Sequence, residues 1–184
     1  MSSLDSNAAA GYTPVAKLLH WLVAALLVVQ YAVGLTMPHM GRNTTPDTLI
    51  NLHFSFGVVI FALVIVRITW RSTHAEPAPL AGIPRWMAGS SRAIHFALYV
   101  LLLIIPVLGW MNASFRGFDV TFFGLFTLPP LLSPRAPGFA WTGDIHANLS
   151  YFFLLTIVGL HILATLYHAV IRRDGVLARM LPGG

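Results

Sequence analysis

Four apolar runs, near residues 15–37, 48–70, 93–113 and 145–171, dominate this chain, and each is long enough to cross a bilayer. A hydrocarbon core of about 30 Å needs roughly 20 residues of helix. Lipid offers no water to bare backbone groups, so these runs are expected to be helical. The expected fold is therefore all-α, an integral membrane four-helix bundle with residues 1–184 as a single domain. Composition agrees: 57% of residues are hydrophobic and 9% charged, against about a quarter charged in soluble domains. The start, "MSSLDSNAAAGYTPVAK", lacks the basic segment, short apolar core and small-residue site of a secretory leader, so the first run is expected to be retained. The second run has a sharp beginning, with Thr45 as the expected cap and Pro46 at the first helical position. The third carries Pro106, which a membrane helix tolerates as a kink. The segment 112–143 is long and partly apolar, and is expected to lie on the outer membrane face or to cap the bundle.

Basic residues orient the spans. The N-terminus, the loop between the second and third runs, and the C-terminus hold eight Lys or Arg, and the other two loops hold three, Arg42, Arg116 and Arg135. The positive-inside rule then places both termini in the cytoplasm.

Intramembrane histidines are the chemical signal. Six of the eight histidines fall in the runs, and orientation gives each a depth. His53 and His146 belong to the outer level. His20 and His161 belong to the inner level, with His95 and His168 also on the cytoplasmic side. His161 follows His146 by 15 residues, about 22 Å along a helix and about 60° around it. One helix can therefore serve two stacked planar cofactors. A haem iron takes one imidazole on each face from helices on opposite sides, and b-type ligation needs that arrangement. With no cysteine in the chain, disulfides, thiolate clusters and covalent c-type haem are excluded. The expectation is two non-covalent b-type haems, with His20, His161, His53 and His146 as axial iron ligands.

Other residues fit the same frame. Gly34 follows His20 by 14 residues and Gly109 follows His95 by 14, which returns to nearly the same helix face. Each glycine would leave room for the edge of the outer haem. Arg67, 14 residues after His53, lies at the inner level, where it would pair with a haem propionate. Simpler readings exist for each. A single intramembrane histidine can bond a backbone carbonyl across helices, and small residues often just permit close packing. Arg67 can snorkel at the boundary. Four histidines at two matched depths resist that reading more than any one does. A histidine-lined metal or proton transporter is the rival, but none of the six acidic residues lies deep in a run, and such relays commonly use carboxylates. A third class is a membrane anchor that relays electrons for a partner dehydrogenase. No nucleic-acid partner is expected.

The stretches "KLLHWLVAALL", "INLHFSFGVVIFALVIVRI", "HFALYVLLLIIPVLGWM", "DIHANLSYFFLLTIVGLH" and "HAVIRRDGVLARMLP" resemble the bacterial cytochrome b561 family over about residues 14–182. The resemblance implies a small four-helix, two-haem cytochrome of the bacterial inner membrane, ligated at His20, His53, His146 and His161. It implies a ubiquinone site near the cytoplasmic haem, involving His95 and His168. It also implies superoxide oxidase activity, with superoxide oxidised outside and electrons passed to ubiquinone, although the family contains relay subunits too. Arg42, Arg116 and Arg135 would then steer the superoxide anion. The spacing from His146 to His161 is one residue longer than the family pattern, and a one-residue π-bulge would absorb it.

Overall fold

The structure, a computed structural model, describes residues 11–41, 44–78, 80 and 82–182. Four long helices carry it: α1 (Pro14–Thr36), α2 (Thr48–Thr73), α3 (Arg85–Arg116) and α4 (Thr142–Arg172), all long and apolar enough to span a membrane. A two-stranded antiparallel hairpin, β1 (Val120–Phe122) and β2 (Phe126–Leu128), lies between α3 and α4.

Local chemistry sets the helix ends. Thr13 caps α1 by accepting from the Ala16 N–H at 3.2 Å, ahead of Pro14. The cap expected at Thr45 is corrected. Helix α2 starts two residues beyond Pro46, and Asp47 caps it by accepting from the Ile50 N–H at 2.9 Å. A carboxylate serves a helix N-terminus through both its hydrogen bond and its charge. Helix α3 begins at Arg85, before the apolar run, because residues 85–92 form a polar first two turns that hydropathy alone does not register. It ends at Gly117, whose φ of 76° suits a residue without Cβ.

Helix α4 is not uniform. It is wound as a π-helix over Leu149–Leu154 and again over Tyr167–Arg172, with α-helix between. The first π segment lies between His146 and His161, the stretch in which a π-bulge is expected from the resemblance. There the Leu155 N–H reaches the Ser150 carbonyl, and the Tyr31 hydroxyl donates to that same carbonyl at 2.7 Å.

Val23, Ile60, Val64, Leu102, Ile105 and Leu154, drawn from all four helices, form the central core. A second cluster, Ile50, Phe54, Ala113 and Val120, joins the hairpin to α2 and α3. Ser55 fixes the hairpin: its hydroxyl donates to the Thr121 carbonyl at 3.1 Å and accepts from the Phe123 N–H at 2.9 Å. The long α3–α4 segment therefore caps one end of the bundle, and it does so with β-structure that the all-α expectation omits. At the other end the C-terminal tail folds back. Tyr12 N–H donates to the Arg179 carbonyl at 3.1 Å, and Trp21 Nε1–H donates to the Met180 carbonyl at 2.9 Å. The first and last described segments thus meet beneath one face, the termini end, opposite the hairpin end. Many apolar side chains point outwards, among them Val28, Leu35, Phe152, Phe153 and Leu163, as a lipid-facing surface requires.

Candidate functional site

Toward the hairpin end, α2 and α4 bring His53 and His146 together, with ring centroids 6.0 Å apart and planes 81° apart. Toward the termini end, α1 and α4 bring His20 and His161 together, 6.2 Å apart at 68°. Two metal–imidazole bonds of about 2 Å, plus about 1 Å from each nitrogen to its ring centre, give about 6 Å between centroids. Both pairs therefore have the separation that two imidazoles take across one metal ion. Among the described residues, no three His, Asp or Glu side chains converge as a ligand set for a bare ion.

The His146 ring is oriented by α3. Its Nδ1 lies 2.8 Å from the Ile105 carbonyl. A carbonyl only accepts, so Nδ1 carries the proton and Nε2 keeps the lone pair that a metal needs. Gly109 makes this approach possible, since a Cβ there would stand 2.9 Å from His146 Cε1 and 3.0 Å from Nδ1. Gly34 faces the other member of the pair more loosely, with its would-be Cβ 3.5 Å from His53 Cε1. Both glycines therefore sit against the imidazoles themselves. Gln30, on α1, also reaches His53: its amide nitrogen lies 3.1 Å from the His53 carbonyl and 3.4 Å from Nε2.

The inner pair has a third neighbour. The His95 ring packs on His161 at 5.2 Å and 70°, and its Nδ1 lies 3.4 Å from the Ser91 hydroxyl. Arg67 bridges α1 and α3 close by, donating to the Ala16 carbonyl at 2.9 Å and to the Tyr99 hydroxyl at 3.2 Å. Arg67, Arg71, His95 and Tyr99 line a pocket roofed by Met180 of the tail.

His168 has its own setting. Its Nδ1–H donates to Asp174 Oδ2 at 2.6 Å, and Arg172 Nε–H donates to the same oxygen at 2.9 Å. Burial alone would raise the Asp174 pKa, but the bonds from His168, Arg172 and the Val176 N–H hold it below the usual carboxylate value. Arg173, at φ 51°, turns the chain so that Asp174 can face back to His168. His95 and His168 share the termini end with separate polar partners.

Of the outer cations, Arg116 is tied down, donating to the Met40 carbonyl at 3.0 Å and to Asn112 Oδ1 at 3.2 Å. Arg135 is exposed, at a left-handed φ of 56°. Arg42 lies outside the described residues.

The sequence reading did not single out Gln30 or Asp174, nor the Ile105 carbonyl that orients His146. Gln30 was visible as an amide inside an apolar run, and Asp174 as the acid closing the last span. The carbonyl contact had no signal in the side-chain pattern.

A sequence profile described as prokaryotic cytochrome b561 matches residues 11–183. The chain is 28% identical to cytochrome b561 homolog 2 of Escherichia coli (strain K12) over 181 residues, covering 96% of this chain and 94% of that protein. It is 26% identical to cytochrome b561 homolog 1 of the same strain over 168 residues, covering 89% and 93%. It is 27% identical to the probable superoxide oxidase CybB of Yersinia pestis over 168 residues, covering 89% and 92%. A bundle of four membrane-spanning helices and a profile match over nearly its whole length agree: this chain belongs to the prokaryotic cytochrome b561 family and is an electron-transfer membrane protein of the b-type haem class.

Proposed function

We propose that the protein takes electrons from superoxide at the hairpin end and delivers them to ubiquinone at the termini end, as a superoxide oxidase of the bacterial inner membrane with both termini in the cytoplasm. The observation that carries this reading is the pair of imidazole couples, each about 6 Å across, at two depths of one bundle. The donor set fits haem: neutral imidazoles in facing twos, one with its Nε2 lone pair freed by a bond at Nδ1. His53 and His146 would hold one haem, and His20 and His161 the other. A bound b-type haem supplies reversible one-electron chemistry.

The chain does the rest. Arg116 and Arg135 would steer an anion locally, since Asp47, Asp119 and Asp144 balance them over the hairpin end as a whole, and Arg42 joins them by its place in the sequence. Superoxide leaves as dioxygen after giving up one electron, so two superoxide ions and two protons convert one quinone to quinol. Arg67, on the pocket beside the inner pair, would pair with a carboxylate, such as a propionate of the inner haem. His95 and His168 would donate hydrogen bonds to the quinone oxygens and pass protons from cytoplasmic water. Asp174 fixes the His168 tautomer with Nδ1 protonated.

Haem counting on purified variants, with stopped-flow reduction by superoxide and reoxidation by ubiquinone, tests the proposal. Two haems per chain are expected. His53→Ala or His146→Ala should lose one of them, His20→Ala or His161→Ala the other, and His95→Ala or His168→Ala neither while slowing reoxidation. One haem per chain would overturn the ligand pairs. Two haems that superoxide fails to reduce would instead favour a relay subunit serving a dehydrogenase.

A further inference from the structure

Gln30 is an amide inside an apolar helix, and neither histidine pair accounts for it. A polar side chain in hydrocarbon costs several kcal/mol unless it is bonded. Its donor end is bonded, to the His53 carbonyl at 3.1 Å. That carbonyl can only accept, so the NH2 end is the end that faces His53. The same nitrogen lies 3.4 Å from His53 Nε2. Gly57, one turn beyond His53 on α2, leaves the amide its space: a Cβ there would come to 3.7 Å from the Gln30 nitrogen. Among the described residues, Gln30 Oε1 and His53 Nδ1 are both buried without a hydrogen-bond partner. The amide is therefore fixed by its contact with the histidine and by no other polar group.

We infer that Gln30 is a positioning residue for His53 and that its N–H dipole raises the reduction potential of the outer haem. This rests on the proposed ligation by His53 and His146. The bond to the His53 carbonyl ties the turn that carries the imidazole to α1, which limits how far the ring can swing. An NH2 group has two donors, so one serves the carbonyl while the other stays beside His53 Nε2. The positive end of the amide dipole then sits next to the iron site, in a medium where fixed dipoles act strongly. It favours the oxidation state with less positive charge, the ferrous one. Hydrogen bonds around the axial ligands are among the few means a protein has of setting a haem potential.

The test is an optical redox titration of the full chain carrying its haems, comparing wild type with Gln30→Leu and Gln30→Met. The outer haem is identified as the spectral component lost in His146→Ala. Leucine removes the amide at similar volume, and methionine removes it at similar length. The expected result is a lower midpoint for the outer haem in both variants, with the inner midpoint unchanged. Selective loss of the outer haem from both variants would equally support the positioning role. An unchanged outer midpoint at full haem content, or the same shift in both haems, would overturn the inference. If His53→Ala and His146→Ala each keep two haems, the ligation reading itself has failed, and the role of Gln30 falls with it.

Discussion

At Gly109 a single methyl group would collide with the His146 ring. The added Cβ would stand 2.9 Å from His146 Cε1, on a ring already held to the Ile105 carbonyl. Such overpacking costs about 1–3 kcal/mol, so Gly109→Ala should lower retention of the outer haem by roughly 5- to 160-fold. Gly34→Ala places its methyl at 3.5 Å from His53, which is ordinary contact, and should keep both haems. Haem-to-protein ratios after detergent exchange separate the two cases, and equal loss in both variants would contradict the contact geometry. The 14-residue spacings bring both glycines to the outer level, and the sequence carries that much. It does not carry the difference between them, because that depends on how closely α3 approaches α4. Gln30 and Asp174 show another limit. Each is one polar residue without periodicity, and its meaning comes from a partner on another helix or beyond a turn.

At the scale of elements, the four helices follow from apolar length alone, because lipid permits little else. Their ends and irregularities are less legible. The Asp47 cap competes with a plausible Thr45–Pro46 start, and a carboxylate at the helix N-terminus prevails. The hairpin is written in short apolar pieces, and only its packing on Ser55 makes it a cap. The π segment Leu149–Leu154 is different, since a π-bulge there is expected from the family resemblance and not from the residues alone. Its role can be tested by editing the chain length. Deleting the exposed Phe152 should let the segment relax to α-helix with both histidines still facing inwards, and both haems retained. Inserting one alanine there instead would turn His161 by about 100° relative to His146 and empty one site. Haem content and helicity by circular dichroism read the result. Loss of a haem on deletion would show that the π winding is needed for more than spacing.

For the whole molecule, the layer of Val23, Ile60, Val64, Leu102, Ile105 and Leu154 lies between the two histidine levels. Measured by the rise between His146 and His161 it is about 22 Å long, and its buried side chains are apolar. On the proposed function, electrons that cross it alone would leave no compensating ion behind, and the protein would act as a small charging device. With the termini in the cytoplasm, as proposed, moving one electron from the hairpin side to the termini side would add negative charge to the cytoplasmic face. Against a membrane potential of 100 mV, negative inside, that step costs about 1.5–2 kcal/mol per electron. In vesicles with the hairpin end outward, quinol formation from external superoxide should slow as an inside-negative potential is imposed. It should recover when an ionophore collapses that potential. A rate indifferent to voltage would place donor and acceptor on the same side of the layer. The energy released by disposing of a toxic radical would otherwise be stored in part as membrane voltage.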